Sequence, residues 1–176
     1  MKKLKIFAYG SLMFEESLKK TAPCATILSP AKLHGFVRVF NFPSPYRMSE
    51  IDGTPCSVLN IDKSDLNHEI CGILFEMSES SFTEMFAREQ GYELVQIEVQ
   101  DFHEPNTRYK AYTFRALHYD AHDYQHGSQQ QQEYLTWCLE GAKKYGDDFY
   151  QNFLETTHIG DKNLAELLDQ GKIKLE

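Results

Sequence analysis

Hydrophobic positions in the first two-thirds of the chain follow the patterns of β-strands. Leu4 to Tyr9 is a nearly continuous apolar run, which predicts a buried strand close to the amino terminus. Between Ala25 and Phe42, apolar and polar residues alternate, and this period of two places Arg38 on the face opposite its two valine neighbours. The same criteria predict four further strands, over Cys56 to Ile61, Ile70 to Phe75, Tyr92 to Phe102 and Arg108 to Ala116.

Helical patterns are shorter in this part of the chain. A helix is predicted over Phe14 to Lys20, ahead of a proline. A second helix is predicted from a cap at Ser78 or Ser80 to about Arg88. Gly91 is well placed to end this helix, because glycine adopts the left-handed conformation that commonly follows a helix.

The remaining segments complete an α+β architecture. Asn41 to Pro55 carries three prolines and an Asp-Gly pair, which predicts a loop or lid. From Gln129 onward apolar residues recur with a helical period, which predicts three helices. We expect one domain over residues 1–176, with an antiparallel or mixed sheet curled into a small barrel over about 1–116 and a helical extension over about 128–172.

Composition narrows the classes of function. The 176 residues carry a net charge of −8 with scattered lysines and arginines, which disfavours binding to nucleic acid or to an anionic membrane surface. No segment approaches the roughly 18 apolar residues of a membrane helix, and the apolar run after MKKLK is too short for a signal peptide. The four cysteines are widely separated, without zinc-site spacing. We therefore expect a cytoplasmic protein with reduced thiols.

The corner after the first strand is a candidate anion site. It lacks the glycines of G-x-G-x-x-G and the lysine of a P-loop, so it is not a nucleotide motif. Successive N–H groups of Gly10, Ser11 and Leu12 can form a concave nest suited to one carboxylate. The alternative is a plain turn with Ser11 as helix N-cap, although the capping-box position three residues later is Phe14 rather than Glu.

Glu89 is the candidate proton-transfer group. It falls at the carboxyl end of the predicted helix, where the macrodipole disfavours a negative charge and should raise its pKa. A carboxyl with a raised pKa can transfer protons near neutral pH. The alternative is a solvated glutamate paired with Arg88. Tyr92 opens the next strand, where its hydroxyl either enters the same cleft or packs.

Histidines and cysteines offer a third, weaker set of candidates. On a helix His118, His122 and His126 would align at intervals of four, which makes a transition-metal site conceivable. Nearby Gly127-Ser128 and the lack of apolar residues favour an exposed loop, so no metal ligand is assigned. Cys56 lies in an apolar run and is interpreted as a core residue rather than a nucleophile.

Several short segments, in order, resemble the γ-glutamylcyclotransferase-like family. They are YGSL, HGFVRVFN, DGTPCSVLNI, ICGILFEM and REQGYELVQIEV, which together span about Phe7 to Ala116. The most specific are YGSL and the glutamate just ahead of a Gly-Tyr strand start. Met85-Phe86 departs from the Leu-Asp that many relatives carry there. The resemblance implies a small barrel of mixed strands with helices packed around it.

The resemblance also implies an activity and its residues. The loop Tyr9, Gly10, Ser11 and Leu12 would hold a γ-glutamyl group, Glu89 would be the catalytic acid/base, and Tyr92 would form part of the wall. In such enzymes the substrate's α-amino group attacks its own γ-carbonyl, which yields 5-oxoproline and releases an amine or amino acid. No metal or organic cofactor is implied. The alternative is a catalytically inactive small-molecule binding domain of the same fold.

Overall fold

The computed structural model describes residues 1–65 and 67–174 of the chain. These residues form nine strands: β1 Lys3–Ala8, β2 Thr26–His34, β3 Phe36–Met48, β4 Pro55–Lys63, β5 Glu69–Ser78, β6 Glu93–Asp101, β7 Arg108–Arg115, β8 Thr157–Ile159 and β9 Lys162–Asn163. The same residues include a 3-10 turn over Ser11–Met13 and five helices: α1 Glu15–Thr21, α2 Glu79–Arg88, α3 Gln129–Lys143, α4 Asp147–Thr156 and α5 Leu164–Asp169. In the described part of the chain no helix is both long and apolar enough to cross a membrane.

Five strands close into a barrel in the order β1-β5-β2-β6-β7. Neighbours pair antiparallel except at the closure, where β1 runs parallel to β7 with Ile6 opposite Tyr112. A second sheet has the order β4-β3-β8-β9. The predicted α+β class with a small mixed barrel is therefore confirmed.

Strand β1 consists largely of apolar residues, and both of its faces are buried. Ile6 and Phe7 are almost completely buried, and β1 lies between β5 and β7. Gly72 on β5 makes room for it, because a Cβ at that position would stand 2.4 Å from the Ala8 carbonyl oxygen and from the Phe7 ring. This close approach lies at the end of β1, and the corner begins two residues later at Gly10.

The helix predicted ahead of Glu89 is confirmed as α2. Ser78 is its N-cap, and its hydroxyl accepts a hydrogen bond from the Ser81 amide at 3.2 Å. Phe82 and Met85 are buried on its inner face. Gly91 follows the helix with φ of +84°, as its predicted role at the helix end requires.

The prediction of a loop or lid from Asn41 to Pro55 is wrong for its first half, because β3 continues to Met48. Pro43 pairs with Ser57, and the next paired position is Met48. Pro45 lies in the unpaired stretch between them and needs no ladder N–H, so it is tolerated in an irregular strand. Only the turn around Gly53, with φ of +73°, matches the prediction.

The carboxyl-terminal helices are confirmed, but the segment also contributes strands that sequence patterns do not predict. Thr157 of β8 pairs in parallel with Arg38 of β3, and β9 pairs antiparallel with β8. The carboxyl-terminal segment is thus part of the second sheet as well as a set of helices. The single domain over residues 1–176 stays a prediction.

Candidate functional site

A cavity of about 140 Å³, called here the first cavity, opens where β1 gives way to the 3-10 turn. All six site residues predicted from the sequence line it: Tyr9, Gly10, Ser11, Leu12, Glu89 and Tyr92. The corner and Glu89 are almost 80 positions apart in sequence. They come together because β1 and β7 are barrel neighbours and β6 pairs with β7 directly after Glu89.

The corner Gly10-Ser11-Leu12 presents free backbone donors. Gly10 precedes the 3-10 turn, and no side chain caps it, so the alternative of Ser11 as an N-cap is not realised. The N–H groups of the three residues make no hydrogen bond within the described part of the chain. The first N–H groups of a helical turn lack internal partners, so these donors remain for another acceptor.

Helix α3 supports the turn from behind through a glycine. A Cβ at Gly141 would stand 2.8 Å from main-chain atoms of Met13 and Phe14, so only glycine permits this approach. The Phe14 ring also stacks on Trp137 of α3, with ring centroids 6.1 Å apart. The carboxyl-terminal part of the chain therefore holds the corner in place.

Glu89 is placed by the end of helix α2. It is the C-cap residue, and its amide donates to the Phe86 carbonyl at 3.0 Å. The chain then turns at Gly91, where a Cβ would stand 2.5 Å from the Phe42 ring. This turn leads directly into Tyr92 and β6, and Glu89 lines the first cavity.

Burial raises the pKa of Glu89 from 4.5 to about 6. The direction agrees with the prediction, and the cause is desolvation of the carboxylate by burial. Arg88 is exposed and does not lower this pKa, so the alternative of a solvated pair is not realised. Glu89 is a carboxyl that changes its charge close to neutral pH.

Three tyrosines form the walls of the first cavity. Tyr9 donates its hydroxyl hydrogen to the Phe114 carbonyl at 2.6 Å, and Tyr92 donates to the Leu59 carbonyl at 2.8 Å. Tyr134 accepts a hydrogen bond from the Leu59 amide at 3.1 Å. Burial raises the pKa of all three phenols above the ordinary value of 10, so they stay neutral and serve as walls rather than bases.

Sequence reasoning missed part of this lining. Tyr134 falls in the segment after Gln129, for which the sequence predicts only helices, and Leu59 and Phe114 fall in predicted strands. The sequence signal for Tyr134 is a hydroxyl on an otherwise apolar or small-residue face, because a buried tyrosine needs a hydrogen-bond partner. Nothing local distinguishes Leu59 or Phe114 from other buried strand residues.

A second cavity of about 200 Å³ adjoins the first. The two share Ser11, Glu89, Tyr92 and Tyr134, so Glu89 stands between them. The outer wall of the second cavity includes Arg47, Arg88 and Trp137.

Arg47 is held firmly in that outer wall. Its guanidinium lies 4.5 Å from the Trp137 ring centroid, and its Nη1 donates to Glu133 at 2.7 Å. A second link closes the rim, because the Tyr46 hydroxyl donates to the Arg88 carbonyl at 2.9 Å. The second cavity is thus bounded by two cationic side chains, one of which is ion-paired.

The three histidines of the predicted loop do not converge. His118 approaches Glu93 at 3.6 Å, the His122 ring bonds to the Pro55 carbonyl, and His126 lies against Tyr124 with ring centroids 4.9 Å apart. Among residues 1–65 and 67–174 no group of three potential ligands has the geometry of a metal site.

Cys56 is buried, as interpreted from its apolar surroundings in the sequence. Burial raises the pKa of its thiol, which disfavours the thiolate that a nucleophile would need.

No protein-family model and no curated protein sequence matches this chain. Solved structures do match. A γ-glutamyl cyclotransferase gives a TM-score of 0.71 with 18% identity, over 97% of this chain and 99% of its own. An uncharacterized human protein gives 0.70 with 19% identity, over 98% and 100%. A yeast γ-glutamyl cyclotransferase specific to glutathione gives 0.64 with 15% identity, over 88% and 97%.

These matches extend over nearly the whole chain, so the fold is that of γ-glutamylcyclotransferases. The resemblance noted in the sequence is thereby confirmed at the level of the fold. Function resides in the site that a fold carries rather than in the fold itself.

Proposed function

We propose that the chain is a γ-glutamylcyclotransferase-like enzyme, which cyclises a γ-glutamyl compound to 5-oxoproline and releases an amine or amino acid. The observation that carries this proposal is the first cavity, whose lining includes both Glu89 and the corner residues Gly10, Ser11 and Leu12. The names of two matched structures, a γ-glutamyl cyclotransferase and one specific to glutathione, support the same chemistry.

In this proposal the corner binds the γ-glutamyl group. The free N–H groups of Gly10, Ser11 and Leu12 donate to the α-carboxylate of the substrate. Hydrogen bonds from backbone donors to a carboxylate are charge-assisted and therefore stronger than neutral ones. A volume of about 140 Å³ is below the roughly 300–1,000 Å³ of sites for drug-sized ligands, which suits one compact group.

Glu89 moves the protons. The substrate's α-ammonium cannot attack, so the Glu89 carboxylate removes one proton, and the neutral nitrogen adds to the γ-carbonyl carbon to form the ring C–N bond. The addition leaves an extra proton on the ring nitrogen and an oxyanion on the former carbonyl. The protonated Glu89 gives its proton to the departing nitrogen, and the oxyanion re-forms the C=O bond as the old C–N bond breaks. The extra proton of the ring nitrogen then passes through Glu89 to the released amine, which leaves as an ammonium ion. A pKa of about 6 lets one carboxyl serve as base and then as acid at neutral pH.

The tyrosine walls supply orientation. Attack within one molecule becomes fast when the chain is held in the reactive geometry, and the effective molarity of such reactions is large. Tyr9 and Tyr92 are locked by hydrogen bonds to main-chain carbonyls, so the walls that fold the γ-glutamyl chain are rigid. Neutral phenols add no competing base beside Glu89.

The leaving group extends into the second cavity. Glu89 lines both cavities, so the bond that breaks lies where its proton is delivered. Arg47 and Arg88 in the outer wall favour a leaving group with a negative charge over one with a positive charge.

The test is to incubate the purified chain with glutathione, γ-glutamyl dipeptides and γ-glutamylamines, and to follow 5-oxoproline by mass spectrometry. The proposal predicts 5-oxoproline from at least one of these classes. Saturable binding of the same compounds without product would instead identify an inactive small-molecule binding domain. If the chain forms no 5-oxoproline and binds none of these compounds, both the enzymatic function and the binding function are overturned.

A further inference from the structure

Arg38 is an arginine in the core of the protein. It lies in the middle of β3 with 0% of its surface exposed, so it is the Arg38 face of the FVRVF alternation that points inward. Its guanidinium stacks 4.6 Å from the Phe153 ring centroid. No carboxylate in the described part of the chain offsets its charge. Burying an unpaired cation is costly, so its presence calls for a reason.

All three guanidinium nitrogens donate hydrogen bonds. Nε donates to the Tyr9 carbonyl at 2.8 Å, Nη1 donates to the Thr156 hydroxyl at 2.9 Å, and Nη2 donates to the Cys71 carbonyl. Thr156 in turn donates to the Asn152 carbonyl at 2.7 Å. Two of the three bonds therefore fix the guanidinium plane against β5 and α4, and the third is directed at the peptide that opens the corner.

The bond to the Tyr9 carbonyl acts on the next residue. The Tyr9 carbonyl and the Gly10 N–H belong to one peptide unit, and a charged donor on the carbonyl polarises that unit and strengthens its N–H as a donor. The positive charge also acts at short range in a region of low dielectric, where it attracts an anion strongly. Burial lowers the pKa of Arg38 from 12.5 to about 10, so the guanidinium remains cationic at neutral pH.

We infer that Arg38 is a positioning residue that orients and polarises the Tyr9–Gly10 peptide so that the corner binds a carboxylate of the substrate. This inference rests on the proposed function and adds to it a residue that does not line the cavity. Arg38 acts through the peptide and not on the substrate. Its role is therefore specific to the ligand's carboxylate, whereas a purely structural role would affect all ligands alike.

The test pairs changes in the protein with a change in the ligand. Calorimetry would measure the binding of γ-glutamyl-alanine and of the same compound in which the α-carboxylate of the γ-glutamyl residue is converted to an amide. Glu89→Gln serves as the background so that the ligand stays intact. Without further change, the free carboxylate should bind about tenfold more tightly than the amide or better. Arg38→Met should remove most of this preference, and Arg38→Lys, which keeps the charge, should restore part of it.

Thr113→Val is the matched control, because it removes a buried hydrogen bond to the Phe7 carbonyl of β1, and Thr113 neither bonds to Arg38 nor lines the first cavity. It should lower thermal stability and leave the carboxylate preference unchanged. Should Arg38→Met fail to fold, the preference measured with Arg38→Lys decides the question. Equal weakening of both ligands in the Arg38 variants, or an unchanged preference, would overturn the inference even where 5-oxoproline is formed. Binding of neither ligand, together with no product, would overturn the proposed function as well.

Discussion

Tyr92 donates its hydroxyl hydrogen to the main-chain carbonyl of Leu59 at 2.8 Å. The amide of Leu59 donates in turn to the Tyr134 hydroxyl at 3.1 Å. One residue of β4 therefore receives support from the start of β6 and from α3, and these two tyrosines face the first cavity. The wall of the site is part of the hydrogen-bonded framework of the protein.

Tyr92→Phe should lower the stability of the fold and have little effect on kcat. The variant leaves the Leu59 carbonyl without its donor, which should lower the free energy of unfolding by about 1 kcal/mol. The fall in kcat should be far smaller than the roughly 100-fold expected of a lost acid or base. Chemical denaturation and initial rates measure both quantities. Loss of all activity at unchanged stability would contradict the role of a wall.

Gly10→Ala should leave the fold intact and weaken substrate binding. A Cβ at Gly10 would lie 3.4 Å from the Tyr134 hydroxyl, which is ordinary contact. The unfolding free energy should change by no more than about 0.5 kcal/mol, while KM rises because the methyl group enters the first cavity.

Gly72→Ala is the informative comparison for that variant. Its Cβ would stand 2.4 Å from the Ala8 carbonyl oxygen and the Phe7 ring, so it should destabilise the fold by about 3 kcal/mol or more. Thermal unfolding followed by circular dichroism distinguishes the two. Equal destabilisation by both variants would be inconsistent with the packing described.

Glu89 should make stability depend on pH. Its pKa is about 6 in the folded chain and 4.5 ordinarily, so the folded chain holds this proton more tightly. The resulting stabilisation is fully present below about pH 4.5 and is lost as pH rises through about 6. Relative to Glu89→Gln, the wild-type unfolding free energy should fall by about 2 kcal/mol at most over this range. Denaturant titrations of both proteins across this pH range measure the difference in unfolding free energy. A difference that does not change with pH would contradict the raised pKa.

The cationic rim of the second cavity should select the leaving group. We expect a higher kcat/KM for a γ-glutamyl amino acid, whose leaving group carries a carboxylate, than for a γ-glutamyl diamine. Arg88→Met should lower the ratio of these two kcat/KM values, amino acid over diamine, by about two- to fivefold, because exposed charges contribute modestly to binding. Arg108→Met, an exposed arginine of β7 outside both cavities, is the control and should leave the ratio unchanged. A ratio insensitive to Arg88 would show that the leaving group does not use this wall.

Local patterns predict the regular elements well, because each depends on neighbours in sequence. The apolar run of β1 and the Ser78 cap of α2 are examples. Barrel closure by the parallel pairing of β1 with β7 depends on residues about 100 positions apart, which no local pattern encodes. The two- and three-residue strands β9 and β8 are too short for a period of two to be recognised.

The sequence predicts those residues of the candidate site that lie in a recognisable local motif. It does not predict those that reach the cavity only through tertiary packing. The corner and Glu89 are candidates from their local sequence and receive their roles through the resemblance, whereas Tyr134 reaches the cavity from a helix whose approach depends on Gly141. The raised pKa of Glu89 was predicted from the helix end, but burial produces it, and burial is a property of the assembled fold. Arg38 shows the same limit, because alternation does not reveal which face of a strand is buried.

The central claim is that Glu89 transfers the protons of an intramolecular cyclisation. The most direct measurement compares 5-oxoproline formation by the wild type, by Glu89→Gln and by Glu84→Gln, an exposed glutamate on the same helix. We expect the rate of 5-oxoproline formation to fall at least about 100-fold in Glu89→Gln, which should still bind γ-glutamyl ligands, and to be unchanged in Glu84→Gln. Equal rates of 5-oxoproline formation in all three proteins would contradict the central claim.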